Sequence, residues 1–81
     1  MLARSEEHAA LGRAIRKIRT EKQLTQQQAS EVSGLRDTYI SDIERGIRNP
    51  TWSAINQLAD ALSVRPSEIA KQAEVEKGRK L

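Results

Sequence analysis

Charged and hydrogen-bonding side chains crowd one short stretch of this chain: Arg36, Asp37, Thr38, Ser41, Asp42, Arg45, Arg48 and Asn49. Guanidinium donors, hydroxyls and carboxylates at this density can bond the polar edges of another molecule, which is recognition chemistry. Bond-making chemistry has no equivalent set. Cysteine is absent, which removes thiolate metal sites, thiol nucleophiles and disulfides. His8 is the lone histidine, so it builds neither a zinc site nor a catalytic triad and reads as surface. The four glycines fall at helix ends, in the first helix or in the tail, and form no phosphate-cradling loop. An enzyme is not expected, and no cofactor or metal is implied.

Composition bounds what must position those residues. At 81 residues there is room for one domain, and a chain of this size buries only about 60% of its unfolded surface. The aromatics are limited to Tyr39 and Trp52. The core must therefore be Ile, Leu, Val and Ala, which suits small, closely packed helices. A net charge of +3 is compatible with a polyanionic partner. Its distribution says more: Arg13, Arg16, Lys17, Arg19 and Lys22 precede the polar stretch, whereas Asp37, Asp42 and Glu44 lie inside it. No apolar run is long enough for a membrane span, and the N-terminus lacks a signal-peptide pattern. A cytoplasmic location is expected. The basic first helix is a weak membrane-surface candidate, because Glu21 interrupts it and no aromatics flank it.

Ser5 can cap a first helix, with Glu6 and Glu7 facing the positive end of its dipole. Leu11, Ala14, Ile15 and Ile18 recur at helical spacing, and the helix should fade near Lys22 and Gln23. Thr25 caps a second helix from Gln26 to Ser33, with Ala29 and Val32 expected inward. Gly34 suits a turn with positive φ. A third helix is predicted from about Arg36 to Arg45, with Ile40 and Ile43 inward and Tyr39 helping, ended by Gly46. Thr51 caps a fourth, with Trp52, Ile55, Leu58, Ala59 and Leu62 on one face. Pro66 opens a fifth, with Ile69 inward. The pattern dissolves after Ala73, so residues 1–73 are expected as the domain and residues 74–81 as a charged, flexible tail.

Two short helices joined through Ser33-Gly34-Leu35 have the layout of a helix-turn-helix, whose second helix is offered to the major groove of DNA. The chain resembles the lambda-repressor-like (Cro-type, XRE) helix-turn-helix family. The resemblance rests on Leu24-Thr25-Gln26, the Gly34 turn, Tyr39-Ile40-Ser41, Ile43-Glu44-Arg45-Gly46 and Arg48-Asn49-Pro50, and covers roughly residues 11–73. It implies an all-α, compact five-helix fold and a sequence-specific transcriptional regulator that binds double-stranded DNA as a homodimer. It also implies site roles. Gln26 resembles a glutamine that reaches a phosphate. Arg36, Asp37, Thr38, Ser41 and Asp42 fall on the recognition-helix face that touches bases. Arg45, Arg48 and Asn49 resemble backbone-clamping positions, and Arg19 with Glu44 matches a structural salt bridge. The chain departs from the pattern at Arg36, where Ser or Thr usually caps, at acidic Asp37 and Asp42, and at Ala29, where Leu is common.

Each residue also has a plainer reading. Arg36 can pair with guanine or a phosphate, and Thr38 can bond a base or touch a thymine methyl. Asp37 suits a first helical turn, where a carboxylate is favoured by about 0.3–1 kcal/mol. Asp42 either accepts from a cytosine amino group or stands as a charge that penalises non-specific phosphate approach. Trp52 is expected beneath the Asn49-Pro50 loop rather than stacked on a base, and an exposed Ile47 could touch a sugar. Ile69, Ala73 and Val75 are candidate dimer contacts, with Ile69 alternatively core. The expected function is a repressor or dual regulator on an inverted-repeat operator in the nucleoid. The class could be a restriction-modification controller, a phage-type repressor or an antitoxin. The competing reading is an antitoxin-like protein-interaction module whose tail folds on a partner.

Overall fold

In the computed structural model, which describes residues 5–78, the chain forms five helices. These are α1 (Glu6–Glu21), α2 (Gln26–Ser33), α3 (Asp37–Glu44), α4 (Trp52–Leu62) and α5 (Pro66–Gly78), with no strand among the described residues. Local chemistry sets the helix starts. Ser5, Thr25 and Thr51 each accept a bond from the amide three residues on, of His8, Gln28 and Ala54. Each such cap contributes about 1 kcal/mol. Gln28 completes a capping box by accepting from the Thr25 amide at 2.8 Å. Arg36 occupies the cap position of α3 and offers no side-chain bond there. With Arg36 and Arg45 as its caps, α3 is one residue shorter at each end than the predicted range.

The core is aliphatic, as the composition requires. Ile15, Ile40, Ile43, Leu58, Leu62 and Ile69 are the largest fully buried side chains. Leu11, Leu24, Leu35, Tyr39 and Val64 pack around this cluster, partly buried. Helix α1 lies between α5 and α3, and α2 packs on α3 and α4. Gly12 lets α1 approach α3 closely: a Cβ there would stand 2.3 Å from the carbonyl oxygen of Ile43 and 2.7 Å from that of Glu44.

Four expectations are corrected. Val32 is exposed. The inward side of α2 runs through buried Ala29 and half-buried Ser30 and Ser33, where Ser30 donates to the Leu35 carbonyl at 2.5 Å and Gln57 reaches the Ser33 carbonyl at 3.2 Å. Trp52 is 69% exposed, because it is the first residue of α4 and the buried face of that helix begins at Ala54. Ile69 is 1% exposed, so its inward reading holds and its candidacy as a dimer contact is the one corrected.

The fourth concerns the C-terminal segment. Helix α5 continues past Ala73 to Gly78, while residues 79–81 lie outside the described residues. Residues 74–78 are therefore helical, and polar contacts to α1 accompany the extension. Glu76 is buried, facing Arg13 at 3.6 Å and accepting from Gln72 at 2.9 Å. Arg13 also donates to the Glu76 carbonyl at 3.2 Å. Lys77 reaches Glu7 at 3.0 Å. That hydrogen bond and the charge pair hold the Glu7 carboxyl below, and the Lys77 ammonium above, their ordinary pKa values.

Candidate nucleic-acid interface

The turn between α2 and α3 fixes how α3 is presented. Gly34 adopts φ 81°, and its amide donates to the Ser30 carbonyl at 2.9 Å. The Leu35 amide donates to Ser33 Oγ at 3.1 Å, while Leu35 itself packs against the core. Two serines and a left-handed glycine thus bond the turn's backbone groups and set the direction in which α3 leaves it.

A buried ion pair locks the other end of α3. Arg19 on α1 donates through Nε to Glu44 Oε2 at 2.6 Å and through Nη2 to Oε1 at 2.9 Å. Its Nη1 donates to the Leu24 carbonyl at 2.7 Å. Gln26 Nε2 donates to Glu44 Oε1 at 3.0 Å. One carboxylate therefore joins α1, α2 and α3. Its bonding to Arg19 raises the guanidinium pKa, against a smaller opposing effect of burial. The side chains are 10% and 3% exposed, so neither charge has water to fall back on. No fully buried side-chain nitrogen or oxygen among the described residues lacks a hydrogen bond.

The outer face of α3 is polar and open. Arg36, Asp37 and Thr38 are exposed, and Ser41 and Asp42 are half-buried at its centre. Just beyond the helix, Arg45, Arg48 and Asn49 are exposed. Asp42 Oδ1 pairs with Arg45 Nη2 at 2.5 Å, and Oδ2 lies 3.9 Å from Arg48 Nη2. The Arg48 guanidinium also sits over the Tyr39 ring, 5.1 Å from its centroid. Arg16 and Arg45, with Arg13, line an open cleft of about 400 Å³ where α1 meets the end of α3.

This geometry suits a nucleic-acid groove. An eight-residue helix, bonded to its neighbours at both ends, projects donors and acceptors outward, and cations flank it. Nothing among the described residues offers a cluster of His, Cys, Asp or Glu able to hold a metal ion.

Residues 15–69 match the family model described as helix-turn-helix. The chain belongs to this family. It is an XRE-type helix-turn-helix protein, of a family of DNA-binding transcription regulators. It is 41% identical over 59 residues to the immunity repressor protein of Bacillus phage phi105, a match covering 73% of this chain and 41% of that protein. The chain thus spans less than half the length of that relative. The restriction-modification controller protein C.AhdI from Aeromonas hydrophila superposes with a TM-score of 0.79 at 35% identity, covering 80% of this chain and 98% of that one. The controller C.Esp1396I, solved as a tetramer in complex with its natural 35 base-pair operator, superposes with a TM-score of 0.83 at 33% identity. That match covers 90% of this chain and 96% of that one.

Against this family background, the expected site residues separate into three groups. Arg36, Asp37, Thr38, Ser41 and Asp42 share the outer face of α3 or its start. Arg45, Arg48 and Asn49 stand beside them on the turn and loop that follow. Gln26 is half-buried at the start of α2, where its amide nitrogen gives one of its two N–H donors to Glu44 at 3.0 Å. Two residues make contacts here that their motif positions did not foretell. Tyr39 is the platform under Arg48, and Asp42 is the carboxylate between two arginines. The three-residue spacing from Asp42 to Arg45 signals the second of these; nothing in the spacing signals the first.

Proposed function

We propose that this protein is a sequence-specific regulator that binds an inverted-repeat operator as a homodimer, with α3 in the major groove. The observation that carries the reading is the open polar face from Arg36 to Asp42 on a helix joined to α1 by the buried Arg19–Glu44 pair. Preorganised donors need little ordering when they meet base edges. In this reading Arg36 and Thr38 face bases, and Arg45, Arg48 and Asn49 contact phosphates on either side. One short helix makes few contacts, so a second copy about 34 Å along the duplex supplies the remaining affinity. With Ile69 in the core, Ala73 and Val75 remain as the α5 candidates for the dimer contact, and Val75 is 48% exposed. The protein acts by binding, has no catalytic step, and works on cytoplasmic DNA as a repressor or dual regulator.

Nuclear magnetic resonance titration of the labelled protein with duplex DNA at low salt tests the reading. Shifts should concentrate at residues 36–42, 45 and 48–49. Shifts confined to α5, or none under conditions where the fold is intact, would refute it.

A further inference from the structure

Asp42 occupies a place where a carboxylate is electrostatically awkward. It lies one turn after Thr38 and one turn before Arg45, on the face that the proposed function turns toward DNA. A phosphate backbone repels it. Yet the side chain is only 28% exposed, whereas those of Arg45 and Arg48 are 64% and 52% exposed. The carboxylate lies beneath the two guanidiniums. Oδ1 holds Arg45 at 2.5 Å, and Oδ2 faces Arg48 at 3.9 Å. Tyr39 supports Arg48 through its ring. A cytosine amino group approaching Oδ1 would compete with Arg45, which already donates to that oxygen.

We propose that Asp42 determines selectivity without reading a base: it clasps Arg45 and Arg48 in a fixed orientation and cancels part of their charge. This inference rests on the proposed DNA-binding function and deepens it. Two consequences follow from the arrangement. Arginine has five N–H donors, and the clasp engages few of them, so each guanidinium keeps donors for a phosphate that arrives in the right place. The three charges sum to one positive charge instead of two, so phosphates that arrive out of register gain less from counterion release. Specific docking is kept while binding to random sequence is weakened. Loss of the Asp42 charge should strengthen random-sequence binding by up to about eightfold at 0.1 M salt, the effect of one further neutralised phosphate at a slope of about 0.9.

The test compares wild type, Asp42→Asn and Asp60→Asn. Asp60 is exposed on α4 and gives the same change in net charge away from the clasp. Affinities for a duplex selected by the wild type and for random duplex are measured across salt, after thermal melting shows each variant folded. Asp42→Asn should bind random duplex several-fold more tightly, with a salt slope steeper by about 0.9. Its ratio of selected to random affinity should fall, and Asp60→Asn should change little. An unchanged ratio, or an equal effect of Asp60→Asn, would overturn the proposal. So would relaxed preference at a single base pair with random-duplex affinity unchanged, since Asp42 would then be reading that base. The free protein supplies a readout independent of DNA: nitrogen-15 spectra of the arginine side chains. Arg45 should show hindered guanidinium rotation in wild type and free rotation in Asp42→Asn. Free rotation in wild type would overturn the clasp. A wild type that binds neither duplex would instead refute the proposed function.

Discussion

Replacing Gly12 with alanine sets two effects of opposite sign against each other. Helix propensity alone favours alanine over glycine by about 1 kcal/mol in a helix interior. Packing opposes it. The new methyl would stand 2.3 Å from the Ile43 carbonyl oxygen, 2.7 Å from the Glu44 oxygen and 2.9 Å from the Glu44 carbonyl carbon. All three are backbone atoms of α3, so no side-chain rotation relieves the contact, and α1 and α3 must part by about 1 Å to restore ordinary van der Waals separation. Overpacking of this kind costs about 1–3 kcal/mol, and a clash with three backbone atoms belongs at the upper end. The net expectation is a loss of about 2 kcal/mol, which for a domain of this size lowers Tm by about 8–16 °C. Parting the helices also strains the Arg19–Glu44 bonds that join them. Gly78→Ala is the control, since no atom lies within 4 Å of a Cβ there. It should leave Tm unchanged or raise it slightly. Circular dichroism melting and urea titration of both variants decide the matter. A Gly12→Ala protein as stable as wild type, or more stable, would refute the close-approach argument and leave propensity as the deciding term.

Glu44→Gln removes one charge from a buried pair and should cost about 3–5 kcal/mol in urea unfolding; a loss under about 1 kcal/mol would mean the pair behaves as an exposed one. Ile69→Ala should cost about 2–5 kcal/mol as a core truncation, by the same amount at every protein concentration, whereas a loss that vanishes on dilution would return Ile69 to a dimer contact. The contact between Glu7 and Lys77 should depend on pH. The lowered Glu7 pKa gives a contribution that is present above the ordinary glutamate value and lost as pH falls through the lowered one. The raised Lys77 pKa gives one that is present below the ordinary lysine value and lost as pH rises through the raised one. Amide exchange in residues 74–78 should therefore be slowest near neutral pH after correction for intrinsic rates, and Glu7→Gln at neutral pH should reproduce the acid effect. Identical protection in Glu7→Gln would contradict the link.

The parts of this fold that are legible in the sequence are those set by short-range chemistry. Ser5, Thr25 and Thr51 mark helix starts because a hydroxyl three residues before a free amide is a local arrangement. Gly34 and Gly46 mark turns because positive φ is cheap only there. The isoleucine and leucine stripes predict the core because period and burial agree. What escaped depends on pairs distant in the chain. The charged end of α5 reads as a tail until Glu76 is seen buried beside Arg13. Trp52 is apolar and in phase with the stripe of α4, yet it precedes the first buried position. Gly12 reads as an ordinary helix glycine until α3 is placed against it. In the interface, spacing showed which residues share the outer face of α3. It did not show that Asp42 is occupied by Arg45 and Arg48, because Arg48 comes from a loop whose path no periodicity dictates.

The central claim is that α3 reads a DNA sequence and that two copies do so together. Selection of bound duplexes from a random library by the purified protein at moderate salt, followed by sequencing, tests it most directly. An enriched inverted repeat is expected, its half-sites separated by about one helical turn. Folded protein that enriches no sequence would contradict it and leave a partner-dependent interaction module as the reading to pursue.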